Sequence, residues 1–308
     1  MSSRTVDKLV DLIRDTSSSL PPDVLKALQA AARKEKKGSS AAVVLKTILD
    51  NCAIAAKRGT PLCQDTGTLT FFVDERLRRK VTPAVIGKAV ALATEKGYLR
   101  KNTIDAVTGR SYDDNCAEGA PVVHYVAGAS DSRSSRDSSA ARPMVTLIMK
   151  GGGSENMSRQ YSLPDAALGA GRDLEGVRKC VLDAVQKIQG YGCAPGILGV
   201  CIGGDRATGF EVAKEQLLRQ LDEGERVRSC EGERDSSSQP DKLSTSQLLN
   251  LEKRLLREAN SLGIGPMGLG GRTTLLGVKV AARTRVPASF FVTVAYMCWA
   301  CRRRSVAV

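Results

Sequence analysis

The sequence predicts a mixed α/β (α+β) fold, with helices at the N-terminus followed by sheet elements that have helices packed on them. Three observations predict it. Apolar residues recur at helical spacing before residue 57, short β-branched and aromatic runs alternate with amphipathic stretches after it, and Gly and Pro shape the joints. The 308 residues are read as a single domain, 1–308, interrupted by Ser-rich insertions at about 127–142 and 225–245.

Val6, Leu9, Val10 and Ile13 mark an opening helix, and Val24, Leu25 and Leu28 a second one after Pro21-Pro22-Asp23. A third runs from about Ala41 to Ala56, with Val44, Leu45, Ile48, Leu49 and Cys52 on its apolar side. It delivers the chain to Thr60-Pro61-Leu62-Cys63-Gln64-Asp65-Thr66-Gly67. Pro61 disfavours helix there and Gly67 permits a tight exit, so a thiol, an amide and a carboxylate stand consecutively on one shaped loop. Thr70 to Val73 reads as a strand. Pro83 opens a helix through Val85, Ile86, Ala89, Val90 and Ala93 that stops at Gly97, and the basic segment beyond it carries Arg100.

Val122 to Val126 forms the next strand, with His124, the one histidine of the chain, inside it. The tract 127–142 cannot bury a core and reads as a surface insertion. Strand Met144 to Met149 then runs into Lys150-Gly151-Gly152-Gly153-Ser154-Glu155-Asn156, where the glycines either let backbone N–H groups approach an anion or leave a flexible loop. Leu174, Val177, Cys180, Val181, Ala184, Val185 and Ile188 mark a helix ending at Gly190. Gly192-Cys193-Ala194-Pro195-Gly196 is a second shaped loop with a cysteine, and Ile197 to Ile202 a buried strand. The hydrophilic insertion 225–245 contains Cys230. A helix through Leu248, Leu251, Leu255 and Ala259 leads to Gly263–Gly271, whose G-x-G-x-x-G follows a helix and is interrupted by Pro266, so it fails as a dinucleotide motif. Strands Leu275 to Ala282 and Phe290 to Tyr296 precede Met297-Cys298-Trp299-Ala300-Cys301-Arg302-Arg303, and the Arg-rich end reads as a solvated tail.

Composition narrows the function. The 46 Lys and Arg against 33 Asp and Glu give +13, which suits small anionic substrates or a solvated surface. Nucleic acid is disfavoured, because aromatics make up 4% of the chain and the basic residues are scattered. No stretch approaches the ~18 apolar residues of a membrane span, and no signal-peptide core opens the chain, so it reads as cytoplasmic, with mitochondria as the other compartment. Nine cysteines in a reducing compartment are metal ligands or core residues rather than disulfides. A single histidine excludes His-rich zinc sites, and its place mid-strand with no nucleophile elbow nearby disfavours a Ser/His/Asp triad.

Cys63, Cys193 and Cys298 stand out, each on a loop or strand end beside turn-shaping or charged residues. Widely spaced single cysteines differ from the local C-x-x-C runs of ferredoxins. Three thiolates on a four-iron cubane leave one iron without a protein ligand, and such an iron is a Lewis acid suited to a hydroxy acid.

Thr60-Pro-Leu-Cys-Gln-Asp-Thr-Gly67, Lys150-Gly-Gly-Gly-Ser-Glu-Asn156, Gly265-Pro-Met-Gly-Leu-Gly-Gly271 and Tyr296-Met-Cys-Trp-Ala300 together resemble the motifs of the iron–sulfur (class I) fumarate hydratases, in particular the α subunit of the two-subunit fumarase and tartrate dehydratase type. The resemblance spans nearly the whole chain outside the two insertions. It implies a catalytic domain whose site lies on loops between the elements. There Cys63, Cys193 and Cys298 hold a [4Fe–4S] cluster, and Gln64, Asp65, Arg100, Gly151, Gly152 and Gly153 lie near the substrate. Asp65 assists proton transfer and Arg100 grips a carboxylate. The resemblance also implies a β subunit carrying the remaining substrate residues, hence a hetero-oligomer. It implies reversible hydration of fumarate to malate, with L-tartrate dehydration as the alternative and a non-enzymatic iron–sulfur nucleic-acid-binding protein as the second. Val286 stands before Pro287-Ala288-Ser289 where the family usually has histidine, and Cys301 reads as a neighbour of the cluster rather than a ligand.

Overall fold

The computed structural model describes residues 3–127, 142–221 and 244–308, so Cys230 and most of both Ser-rich tracts lie outside the described residues. In chain order the elements are α1 (Ser3–Ser18), α2 (Pro22–Lys34), α3 (Ser40–Arg58), β1 (Thr68–Asp74), α4 (Pro83–Glu95), β2 (Thr103–Ile104), β3 (Ser111–Tyr112), β4 (Val122–Val126) and β5 (Met144–Lys150). They continue with α5 (Gly152–Asn156), β6 (Arg159–Ser162), α6 (Leu174–Ile188), β7 (Gly196–Ile202), α7 (Arg206–Gln216), α8 (Thr245–Ser261), β8 (Leu275–Ala282), β9 (Phe291–Met297) and β10 (Arg302–Ala307). This is the expected mixed α/β class. Among the described residues no helix is long and apolar enough to cross a membrane.

The chain divides into two compact units: Met1–Pro22, Thr47–Gly152 and Ala300–Val308 form the first, Asp23–Lys46 and Gly153–Trp299 the second. The first holds a four-stranded sheet in the order β10-β5-β1-β4, antiparallel except for the parallel β1–β4 pair. Period-two alternation puts Leu69, Phe71 and Val73 of β1 and Val145, Leu147 and Met149 of β5 into one core with Leu9 and Ile13 of α1 and Ile86, Ala89 and Val90 of α4. Helix α4 starts where the sequence says it should: Pro83 occupies its first turn and the Thr82 hydroxyl accepts the Val85 N–H. His124 stacks on Phe72, ring centroids 5.3 Å apart.

The second unit has a sheet in the order β6-β9-β7-β8, with β7–β8 the parallel pair. Leu198, Val200 and Ile202 of β7 pack with Val177, Val181 and Val185 of α6 and Leu255 and Ala259 of α8. Helix α8 begins with a complete capping box between Ser244 and Gln247.

Two expectations are corrected. The Arg-rich end is strand β10, paired along β5 from Arg302 opposite Met149 to Ala307 opposite Met144, and Arg302 is buried. A solvated reading weighs charge alone, whereas β5 offers a free edge whose backbone groups need partners. The glycine run after β5 is not a flexible loop: Gly152 already starts the single-turn helix α5, whose first N–H groups have no intrahelical acceptor.

Candidate active site

In the first unit the Cys63 loop is tied down from all sides by hydrogen bonds. The Leu62 N–H donates to the Ser17 carbonyl at 2.8 Å and Asn51 Nδ2 to the Leu62 carbonyl at 3.0 Å. The Asp65 N–H points at Cys63 Sγ at 3.5 Å. Thr66 Oγ1 donates to the Arg100 carbonyl at 3.0 Å and accepts the Arg100 N–H at 2.9 Å, so one hydroxyl fixes the backbone of Arg100 beside the loop. Arg100 itself is exposed, as is Gln64.

Asp65 is half-buried and oriented. Asn102 Nδ2 donates to its Oδ1 at 3.3 Å, and a Cβ on Gly151 would stand 2.7 Å from its Oδ2, so only glycine at 151 leaves the carboxylate its place. Gly67 is required as well: its φ is +73° and a Cβ there would collide with the Lys150 carbonyl. Arg302 Nη2 donates to the Asp65 carbonyl at 2.7 Å, while its Nε has no partner among the described residues. A guanidinium 2% exposed, with no carboxylate paired to it among the described residues, is costly to fold around.

In the second unit Cys193 and Cys298 are brought onto adjoining segments. The Trp299 N–H donates to the Cys193 carbonyl at 3.4 Å. The Cys298 N–H donates to Ser154 Oγ at 3.1 Å, and the Tyr296 N–H to Ser158 Oγ at 3.2 Å, which binds the end of β9 to the segment around α5. The Cys193 backbone is left-handed at φ +51°, as are those of Gln189 at +45° and Met267 at +52°. Non-glycine residues avoid this region, so strain is concentrated around the Cys193 loop. Gly190 and Gly268 pack backbone to backbone there, and the Met267 N–H donates to the Ala194 carbonyl at 2.9 Å. The Gly265–Gly271 run is thus a buttress of the cysteine loop.

Beneath that loop lies Tyr296. A Cβ on Gly192 would stand 2.5 Å from its ring, and one on Gly196 would collide with its hydroxyl. Burial, then the neighbouring Cys298 and Cys193 thiols, push the phenol well above its ordinary range. Tyr296 is 1% exposed, and its hydroxyl has no hydrogen-bond partner among the described residues. An orphaned buried hydroxyl costs about 1–3 kcal/mol.

The remaining thiols sort by burial. Cys52, Cys180, Cys201 and Cys301 are buried, whereas Cys63 and Cys298 are half-buried and Cys193 is exposed. Burial pushes the Cys52 and Cys201 thiols up to about 11 and Cys180 to about 12, which makes them poor thiolate donors. Cys116 is half-buried, but its thiol is raised by burial and reaches the Gly87 carbonyl at 3.4 Å. Among the described residues no three His, Cys, Asp or Glu side chains gather to hold a single metal ion. A four-iron cubane takes thiolate ligands, one per iron, and Cys63, Cys193 and Cys298, the thiols of the three shaped loops that are not buried, are of that donor type.

Residues 6–307 match the model of the family described as fumarate hydratase (Fumerase). The chain belongs to the fumarate hydratase family. A Geobacillus stearothermophilus protein bearing the name of a class I fumarate hydratase is 44% identical over 97% of this chain. A Methanocaldococcus jannaschii protein named for the α subunit of L(+)-tartrate dehydratase is 33% identical over 96% of it. The L(+)-tartrate dehydratase α subunit of Escherichia coli K12 is 27% identical over 99%. This chain spans 54% of the Geobacillus relative's length, 95% of the Methanocaldococcus one's and 92% of the Escherichia coli one's.

For this fumarate hydratase family member the first unit carries Cys63, Gln64, Asp65, Arg100, Gly151 and Gly152, and the second Gly153, Cys193 and Cys298. Within the first, hydrogen bonds or close packing join Asp65 to Asn102, Gly151 and Arg302; within the second, the Trp299 N–H joins the segment of Cys298 to the Cys193 carbonyl, and Tyr296 packs under Gly192 and Gly196. Asn102, Arg302, Ser154 and Tyr296 escaped the sequence reading. Three of them sit inside the quoted motifs or next to one, and proximity to a motif was the signal available. Val286 is 64% exposed.

Proposed function

We propose that the chain is the α part of a hydro-lyase that reversibly adds water to fumarate to give malate. Cys63, Cys193 and Cys298 would hold a [4Fe–4S] cluster, which when bound supplies a Lewis-acid iron for the substrate hydroxyl oxygen. The observation that carries the reading is the family match over nearly the whole chain, together with an exposed thiol, Cys193, on left-handed backbone and a half-buried one, Cys298, on the adjoining segment. Arg100, exposed and fixed by Thr66 through its backbone, offers a planar fork to one carboxylate of the diacid. Gln64 adds an amide beside it. Asp65, steered by Asn102 and admitted by Gly151, takes or returns the proton at the carbon next to the hydroxyl-bearing one. Gly152 and Gly153 keep Cβ atoms out of the approach. Buried Arg302 holds the Asp65 backbone in place and adds positive potential for a dianionic substrate.

The remaining substrate groups belong to a β part, on a separate chain or continuing the same one, so the working enzyme is a heteromer or a fused pair. Thiolates and an open iron suit a reducing compartment, the cytoplasm or the mitochondrial interior. L-tartrate dehydration is the second reading. It is supported by the names of two relatives, since the Methanocaldococcus and Escherichia coli proteins named for L(+)-tartrate dehydratase α subunits match over 96% and 99% of this chain. Anaerobic reconstitution with iron and sulfide, with and without a β part, followed by assay on fumarate and tartrate, tests both. Fumarate turnover in the pair supports the first reading, tartrate turnover alone the second, and absence of a cluster overturns both.

A further inference from the structure

Tyr296 poses a question that the hydration reaction leaves open. Its ring is needed as filler, because the Cys193 loop wraps it closely enough that Gly192 and Gly196 tolerate no side chain. A phenylalanine would fill that space equally well. The hydroxyl is the part without an explanation: it is 1% exposed with its residue, meets no acceptor among the described residues, and lies against Gly196, three residues after Cys193, while Tyr296 itself stands on β9, which ends one residue before Cys298. Its own backbone is immobilised by Ser158 and by pairing with Leu198, so the hydroxyl cannot swing away to find water. A donor fixed in place and lacking an acceptor among the described residues is built for an acceptor that arrives with something else.

We propose that Tyr296 donates its O–H to sulfur on the Cys193 and Cys298 side of the [4Fe–4S] cluster, and so sets how readily that cluster is oxidised. This rests on the function proposed above. The acceptor is anionic sulfur, a cysteine thiolate or the inorganic sulfide beside it. No bond to hydrogen is broken, and an ordinary phenol remains protonated at neutral pH. Donors to cluster sulfur stabilise the more negative, reduced form and raise the potential; their loss makes oxidation easier. Tyr296 is therefore a positioning residue of the cofactor, touching neither substrate nor product.

The test compares the wild-type chain with Tyr296→Phe, each reconstituted anaerobically together with the β part and each also studied without iron. The expected result has four parts. Both proteins load equal iron and sulfide. The variant has a lower cluster potential and converts to the three-iron form in air roughly two- to tenfold faster, the weight of one hydrogen bond. An exchangeable proton coupled to the paramagnetic cluster is seen in the wild type after transfer to D2O and is missing from the variant. The iron-free variant melts no lower than the iron-free wild type, because its hydroxyl had no partner to lose. Failure of the variant alone to keep its cluster, with iron-free melting unchanged, supports the proposal in stronger form. Equal potentials and equal rates at equal loading overturn it, as does a lower melting point of the iron-free variant, which would give the hydroxyl to the fold. If the wild type itself takes no cluster, the proposed function fails first and this inference with it.

Discussion

The two units carry four-stranded sheets with the same pairing pattern, two antiparallel pairs and one parallel pair at an edge, yet they hold their cysteines by opposite means. Cys63 sits in a loop pinned largely by side chains: Asn51, Thr66, Asn102 and Arg302 each reach a backbone or carboxylate oxygen around it. Cys193 sits in a loop pinned by backbone: left-handed residues, glycines in direct contact and main-chain hydrogen bonds from Met267 and Trp299. The first design spreads its dependence over many polar residues, each worth about 1 kcal/mol. The second concentrates it on a few glycines, where any Cβ collides with backbone or ring. The two sites should therefore fail differently.

The largest effect tests whether both sites serve one cluster. Cys63→Ser, Cys193→Ser and Cys298→Ser should each remove it completely, read as iron and sulfide per chain after anaerobic reconstitution. Cys52→Ser and Cys201→Ser should leave it at the wild-type level, because burial keeps those thiols protonated. A full cluster in Cys63→Ser would detach the first unit from the metal altogether.

Next in size is Asp65→Asn, which keeps the shape and removes the basicity. In the complex with its β part kcat should fall roughly 10²-fold or more with the cluster content unchanged. A wild-type kcat would make Asp65 a loop-shaping residue and leave the proton to the partner.

The contrast between side-chain and backbone support is sharpest in a pair of substitutions. Gly268→Ala places a Cβ 2.7 Å from the Gly190 Cα at a φ of +74°. Left-handed strain of about 1–2 kcal/mol and overpacking of about 1–3 kcal/mol then add, for a loss near ~3 kcal/mol in urea unfolding. Asn102→Ala removes the 3.3 Å contact to Asp65 and the side chain alone, costing about 1 kcal/mol. Equal losses would abolish the distinction drawn between the two loops.

Much of this architecture was readable from the chain because period and punctuation agree there. Leu9 and Ile13 recur at helical spacing, Thr82-Pro83 is a cap followed by a first-turn proline, and Leu69, Phe71 and Val73 alternate into the core. The candidate ligands were readable because Pro61, Gly67, Gly192 and Gly196 announce shaped loops. Strand β10 was not, since Arg302-Arg303-Arg304 has a strand's length and a tail's charge, and only the free edge of β5 decides between them. Helix α7 was missed because its glycine, Gly209, lies mid-helix, where it permits close approach to Thr293. Asn102 carries no local signal, since its importance lies in an oxygen thirty-seven positions away, and Tyr296, though it opens a quoted motif, has a hydroxyl whose partner is not among the described residues.

Arg302→Met gives a smaller and more informative effect. Replacing a buried unpaired charge by an apolar side chain of similar volume is often neutral or stabilising by about 1–4 kcal/mol. Unfolding in urea should therefore show no loss of stability, although the bond to the Asp65 carbonyl is gone. Turnover in the complex should still fall about tenfold, since one charge-assisted hydrogen bond holding Asp65 is worth about 1.5–3 kcal/mol. A destabilised protein with normal turnover would make Arg302 a structural residue of β10.

The smallest effect is expected at Cys301, and it bears directly on the comparison. Cys298 and Cys301 are three residues apart, yet the chain passes from the second unit to the first between Trp299 and Ala300. Cys298 is half-buried with its backbone fixed by Ser154; Cys301 is fully buried next to Arg302 and strand β10. A thiol enclosed in that way has no room for an iron atom unless β10 leaves β5, and the paired register from Arg302 to Ala307 opposes such a movement. Cys301→Ser should therefore leave iron content and the potential unchanged. Its one consequence is a hydroxyl in place of a small hydrophobe in the core, with a stability loss of about 1–3 kcal/mol if the hydroxyl finds no partner. Loss of the cluster from Cys301→Ser with retention in Cys298→Ser would reverse the assignment, moving a ligand from the strained, backbone-held site into the first unit.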